Sequence, residues 1–191
     1  MTDLERLRDL LLARSVTRGD FTLSSGRKST FYIDARRTTM SGEGLALIGS
    51  LGLERLAARG WVPRAVGGLT LGADPVAYAI AAAARSRSAR TPTPAPPAPP
   101  LDAFTIRKQA KTHGTGRRIE GCFEAGQSVV VVEDVITTGG SAQEAIAALS
   151  AEGAKILGVF AVVDRGEGGR EVLERAGHPV ETLLTAAQLG L

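Results

Sequence analysis

Residues 129–141 read VVVVEDVITTGGS, and no other stretch of the chain leaves so little choice of fold. Four β-branched residues in succession, with no polar interruption, suit a strand covered on both faces, as inside a parallel sheet. The strand is expected to end on two adjacent carboxylates, Glu133 and Asp134. A loop of small and hydroxylic residues follows, and then a helix with an apolar stripe of Ala142, Ala145, Ile146 and Leu149. Ser141 and Glu144 have the spacing of a capping box at its start. KILGVFAVVD, residues 155–164, is the next strand, so the unit is β-loop-α-β with a right-handed crossover. The fold class is α/β, with a central, mainly parallel sheet flanked by helices. Ligands of such sheets bind at the carboxyl ends of the strands, where this loop lies.

The loop has the chemistry of a phosphate seat. Thr137, Thr138, Gly139, Gly140 and Ser141 would turn backbone N–H groups and hydroxyls toward one point at a helix N-terminus, and glycines let the backbone come close to an anion. Carboxylates are poor neighbours for a phosphate, so Glu133 and Asp134 need another partner. The 2′ and 3′ hydroxyls of a ribose suit paired acceptors. An ordinary β-α turn with a solvated acidic pair would have the same residue types. No G-x-x-x-x-G-K-[ST] occurs, which excludes a Walker loop.

The rest of the chain can be placed around this unit. Its 191 residues suffice for one domain with a sizeable core, spanning 1–191. Leu4, Leu7 and Leu11 mark a first helix ending before Gly19. Residues 21–36, FTLSSGRKSTFYIDAR, read as two short strands about Ser24, Ser25 and Gly26. A helix is predicted over 43–59, closed by Gly60, and a first central strand over 62–66. The strand runs into a glycine-rich turn in which Asp74 caps a helix and Pro75 takes its first position. Residues 86–100 end with six prolines in nine positions, which allows neither helix nor ladder and predicts a flexible, solvated insertion. A strand over 102–106 leads into residues 107–121, basic, glycine-bearing and without apolar periodicity: a mobile positive loop. A helix near 169–176, ended by Gly177, and a strand over 180–184 complete the chain.

Composition narrows the classes. Lys and Arg exceed Asp and Glu by 23 to 20, a mild excess compatible with small anionic substrates. Aromatics are only 4%, and no nucleic-acid motif is present. Cys122 is the sole cysteine, so an intrachain disulfide is excluded and a reducing compartment is expected. No apolar signal core or membrane-length run occurs, and a cytoplasmic location is expected. No Ser-His-Asp set is evident, and two histidines without clustered ligands argue against a zinc site.

VVVVEDVITTGGS resembles the 5-phosphoribosyl 1-diphosphate (PRPP) motif of the type I phosphoribosyltransferases. Two further segments resemble the orotate-specific branch. F-T-L-x-S-G-x-x-S-x-x-Y-x-D is similar to its N-terminal hood, here residues 1–40. R-K-x-x-K-x-H-G followed by I-E-G is similar to its signature loop. The resemblance implies the type I fold with a small hood, and PRPP contacts along Glu133, Asp134, Val135, Ile136 and the 137–141 loop. It adds Arg107, Lys108, Lys111 and His113 at the diphosphate. It also adds the turn at Thr70 and Leu71, where family members often hold a non-proline cis peptide. Catalytic roles would fall to Lys111, His113 and Asp134. Orotate would meet Thr137, Phe31, Tyr32 and Arg165, the last facing its carboxylate. Gln109 stands where the family usually has glutamate. Serine replaces the family's frequent lysine at position 24, so that diphosphate contact is either lost or supplied elsewhere, with Lys28 as a candidate.

The implied reaction is transfer of the 5-phosphoribosyl group from PRPP to N1 of orotate, giving orotidine 5′-monophosphate and diphosphate in pyrimidine (UMP) biosynthesis. Mg²⁺ is the implied cofactor, bound mainly through PRPP, with no protein ligand assigned. A homodimer with shared active sites is expected, without nucleic-acid or membrane partners. Two rivals are a phosphoribosyltransferase for another base and a non-catalytic PRPP sensor. The first would turn over adenine, hypoxanthine or uracil. The second would need a DNA-binding segment, and the sequence offers none.

Overall fold

The computed structural model describes residues 1–22, 28–90, 100–108 and 117–191. Thr2 opens the first helix, α1 (Asp3–Arg14), through a capping box with Glu5. An antiparallel hairpin follows, β1 (Val16–Thr22) with β2 (Lys28–Ile33), as the sequence predicts. Its turn, with Ser24, lies outside the described residues. The short α2 (Arg36–Thr39) and the long α3 (Gly42–Ala58) lead to the main sheet; Ser41 caps α3 by accepting from the Gly44 N–H.

The main sheet comprises β3 (Ala65–Leu69), β4 (Asp102–Ile106), β5 (Ile119–Gly121), β6 (Ser128–Ile136), β7 (Lys155–Asp164) and β8 (Val180–Thr185). Their order is β5-β4-β3-β6-β7-β8, parallel throughout except for the β4–β5 edge. Helix α4 (Ala73–Arg90) joins β3 to β4, α5 (Gly140–Ala151) joins β6 to β7, and α6 (Gly169–Arg175) precedes β8. A 3₁₀ turn, Ala187–Leu189, follows the last strand.

The β6 valines divide between two cores. Val130 and Val132 join Ile48 of α3, Ile80 of α4 and Phe160 of β7 on one face. Val129 and Val131 join Ile146 and Leu149 of α5 and Leu173 of α6 on the other. All four are fully buried, each worth about 1.5–3 kcal/mol of apolar burial. The β3–α4–β4 and β6–α5–β7 crossovers leave adjacent strands in opposite directions along the sheet. The carboxyl ends of β3 and β6 therefore flank a crevice at the topological switch point.

Several boundaries differ from expectation. Strand β6 does not stop at the acids: Glu133 pairs with Ala161 and Val135 with Val163, because the long β7 carries the ladder on to Ile136. Strand β3 starts at Ala65 rather than 62; Pro63 has no N–H for a ladder, and Val62 is exposed. The proposed loop 107–121 ends in a strand, since Glu120 pairs with Thr105 across β4–β5. Three residues carry too little periodicity to be read in advance. Helix α4 runs on to Arg90, so residues 86–90 of the predicted insertion are helical, with the Ser88 hydroxyl donating to Ala84 O at 3.0 Å. Residues 91–99 lie outside the described residues.

Candidate active site

The switch-point crevice opens into a cleft of about 970 Å³. Its floor is the end of β6 and the loop beyond. One wall is the turn after β3 (Thr70, Leu71 and Gly72), and the other is the end of β7, with Arg165 and Glu167. Phe21 and Tyr32 of the hairpin stand over it, their rings 5.8 Å apart, and Lys108 enters from beyond β4. The peptide between Thr70 and Leu71 is cis, where the resemblance puts it.

The loop after β6 is shaped by backbone. Gly139, at φ 83°, is the N-cap of α5 and has no side-chain cap. The expected capping box does not form: Ser141 lies inside the helix, and Glu144 pairs with Arg118 instead. Gln143 N–H, bonding to Gly139 O at 2.9 Å, makes the first intrahelical bond. The N–H groups before it are left for an anion, with the helix dipole behind them. Thr137 O accepts from the Gly169 N–H at 3.0 Å, which ties the loop to the start of α6. A Cβ at Gly169 would lie 2.4 Å from Thr137 O, so only glycine permits that approach.

The two acids differ. Glu133 is 6% exposed and, among the described residues, its Oε1 has no hydrogen-bond partner. Burial first, and then the adjacent Asp134 charge, push its pKa up to about 8. Asp134 is half-buried and also raised by burial, with its own and the Val135 backbone N–H groups and Arg36 pulling it back. The Val135 N–H donates to Asp134 Oδ1 at 2.8 Å. The turn after β3 passes so close that a Cβ on Gly72 would come 2.6 Å from that oxygen. Burial therefore favours the protonated form of Glu133, which lessens the negative charge that a phosphate in the loop would meet.

The wall at the end of β7 is built from side chains. Arg165 Nη2 donates to Ser29 Oγ at 3.0 Å and to Phe31 O at 3.2 Å, and its Cζ sits 4.8 Å from the Phe31 ring centroid. The turn carrying it is pinned by Asp164, which accepts from the Gly166 N–H and from Arg170 Nε, both at 2.9 Å. Arg170 reaches on to Val180 O and Thr182 Oγ1 of β8.

The expected residues thus fall into groups. Glu133, Asp134, Val135, Thr137, Thr138, Ser141, Thr70, Leu71, Lys108, Tyr32 and Arg165 meet at the cleft. Ile136 is buried beneath it and gives its carbonyl to the Arg165 N–H at 2.9 Å. Gly139 and Gly140 shape the helix start without lining the cleft. Phe31 is not a cleft residue: its ring is spent on Arg165. Lys28 turns away to Thr22 Oγ1, 2.9 Å distant. Arg107 pairs with Glu120 beside a smaller hollow that Lys108 shares. Asp74 does not cap α4, which starts one residue earlier. Instead its carboxylate accepts from Thr70 Oγ1 at 2.6 Å and from Thr105 Oγ1. Lys111 and His113 lie outside the described residues. Sequence reasoning missed Asp74, Asp164, Glu167 and Arg170. Only Glu167 had a legible signal, as the acid two residues after Arg165 in a glycine-flanked turn.

Comparison with known proteins agrees with this geometry. A model of the phosphoribosyl transferase domain matches residues 76–177. The chain is 46% identical over 189 residues to orotate phosphoribosyltransferase of Mycobacterium avium (strain 104), covering 99% of this chain and 97% of that protein. The crystal structure of the Mycobacterium tuberculosis H37Rv orotate phosphoribosyltransferase in complex with Fe(III) dicitrate aligns at a TM-score of 0.82 and 44% identity, over 100% of both chains. That enzyme in complex with PRPP aligns at 0.78 and 42%, again over 100% of both. With likeness of this depth from end to end, the chain belongs to the orotate phosphoribosyltransferase family.

Proposed function

We propose that this protein transfers the 5-phosphoribosyl group of PRPP to N1 of orotate, releasing diphosphate and forming orotidine 5′-monophosphate for UMP synthesis. The observation that carries the reading is the pairing, in one cleft, of a helix-start anion seat after β6 with a buried guanidinium at the end of β7. The first suits the 5′-phosphate and the second the carboxylate that distinguishes orotate from uracil.

The chain's residues divide the work. The 137–141 loop holds the 5′-phosphate, with the Thr137 hydroxyl at the junction with the base. Asp134 accepts from a ribose hydroxyl, and Glu133, carrying a proton at neutral pH, can donate as well as accept. The Thr70–Leu71 turn, Arg107, Lys108, Lys111 and His113 surround the diphosphate. Positive charge there stabilises the leaving group as the ribose carbon becomes oxocarbenium-like, and enclosure by the hood protects PRPP from water.

Mg²⁺ is assigned to the substrate. Among the described residues no three His, Cys, Asp or Glu side chains gather as a metal cage. One or two carboxylates beside a diphosphate form the donor set of an ion shared with substrate, and Asp134 is the group that would reach it. When bound, the ion offsets charge on the diphosphate.

The reading treats residues 1–191 as one catalytic domain of a cytoplasmic homodimer, each basic loop covering the partner's diphosphate. Among the described residues no helix is long and apolar enough to cross a membrane. Incubation with PRPP, Mg²⁺ and orotate should consume orotate, and excess chelator should stop it. Turnover of adenine, hypoxanthine or uracil with orotate untouched would overturn the assignment. The shared site has its own test. Lys111→Ala should slow turnover about 10²–10³-fold. Mixed with Arg165→Ala under subunit exchange, it should recover roughly a quarter of wild-type activity, from the whole site in each mixed dimer. No recovery in demonstrated heterodimers would remove the shared-site model.

A further inference from the structure

Strand β7 ends at Asp164, and the turn beyond it contains two glycines in the left-handed region, Gly166 (φ 74°) and Gly168 (φ 89°). Between them this turn brings Arg165 and Glu167 together on the cleft wall. Their side chains are only 7% and 12% exposed, and Arg165 Nε lies 2.8 Å from Glu167 Oε1. The oxygen is off the N–H direction, so the contact is an ion pair rather than an aligned hydrogen bond. Nη2 is engaged by Ser29 and Phe31, and the Phe31 ring covers one face. Among the described residues Nη1 makes no hydrogen bond.

A guanidinium this buried requires a counter-charge, and neutral oxygens on the hairpin do not supply one. Glu167 does, and on the Nε side of the group rather than at Nη1. We propose that Glu167 is a positioning residue for base recognition. It holds Arg165 against the hairpin wall, so that Nη1 is presented to the carboxylate of the pyrimidine substrate. The inference rests on the reading of Arg165 as that carboxylate's partner. Glu167 itself does not touch the base, and its effect on recognition runs through Arg165.

The test is steady-state kinetics with orotate and PRPP varied in turn at saturating co-substrate and Mg²⁺, for wild type, Glu167→Ala, Glu167→Gln and Arg165→Ala. Glu167→Ala should raise KM for orotate by about tenfold, as expected for loss of one charged interaction, with KM for PRPP within about twofold. Glu167→Gln keeps an oxygen near Nε but no charge, and should fall between Ala and wild type. If Glu167→Ala leaves KM for orotate unchanged or lowers it while Arg165→Ala raises it, the carboxylate does not position Arg165, and the proposal fails alone. If Arg165→Ala leaves KM for orotate unchanged, the base-recognition reading fails and takes the proposal with it. Equal rises in both KM values for the Glu167 variants would mean that the turn has lost its shape, which also overturns it. Should Glu167→Ala not fold, Glu167→Gln at native melting temperature decides: a raised orotate KM upholds the proposal and an unchanged one ends it.

Discussion

The ends of β6 and β7 lie side by side in the same cleft but are made differently. After β6 the proposed anion seat is backbone, a left-handed glycine and the N–H groups of a helix start, and its hydrogen bonds are local in sequence apart from the Gly169 N–H to Thr137 O tie. After β7 the recognition surface is a side chain, held by residues from the hairpin over 130 positions away and by its neighbour Glu167. The backbone seat resists side-chain changes and is vulnerable to anything that alters its path. The side-chain surface has the opposite weakness.

The sharpest way to break this contrast is Gly169→Ala. The new Cβ would meet Thr137 O at 2.4 Å and Gly139 N at 2.7 Å, backbone atoms that have no rotamer to escape into. Displacing the loop should lower kcat/KM for PRPP by about 10²-fold and lower the melting temperature. Wild-type kinetics would mean that the loop is not the phosphate seat.

Arg165→Ala comes next. Losing a charge-assisted contact of about 1.5–3 kcal/mol should raise KM for orotate some tenfold to a hundredfold, with PRPP hardly affected. Collapse of PRPP affinity instead would place Arg165 at the wrong end of the cleft. Asp134→Asn and Thr137→Val should each cost about 1–3 kcal/mol in PRPP use, which folded variants with unchanged kinetics would refute.

The last prediction concerns stability rather than kinetics. Native Glu133 keeps its proton to about pH 8, whereas the unfolded chain releases it near 4.5. Between those values the native state binds more protons, so this group makes stability fall as pH rises, by a few kcal/mol at most. Glu133→Gln should flatten that decline. Melting temperatures measured from pH 5 to 8.5 would show it, and an unaltered slope would mean that Glu133 is ionised in the folded protein.

What was legible in the sequence follows the same division. The β6–α5–β7 unit, both cores' valines and the loop between β6 and α5 could be read because local pattern determines them. The fate of Phe31 could not. Its ring covers a guanidinium brought from 134 residues away, and nothing within the segment 21–36 distinguishes that from a ring facing substrate. Glu144 illustrates the converse: a sound local motif lost to a distant competitor, since Arg118 of the β4–β5 edge reaches it first. Asp74 likewise has the local pattern of a cap, yet Thr70 and Thr105 take its carboxylate.

Two backbone bonds described above have a metric consequence. Arg165 N–H to Ile136 O and Gly169 N–H to Thr137 O, at 2.9 and 3.0 Å, rivet the two strand ends together. The separation between the anion seat and the Arg165 backbone is thereby fixed by main chain, like the jaws of a caliper locked at one setting, and the hairpin and Glu167 contacts then hold the guanidinium. A ligand is then gauged by length as well as charge, from its phosphorus to its carboxylate carbon. On the proposed reading, orotidine 5′-monophosphate would span both jaws as a single molecule, whereas orotate would touch only one. Product should therefore grip this cleft more firmly than the free base, and its departure has to begin by letting go at one end.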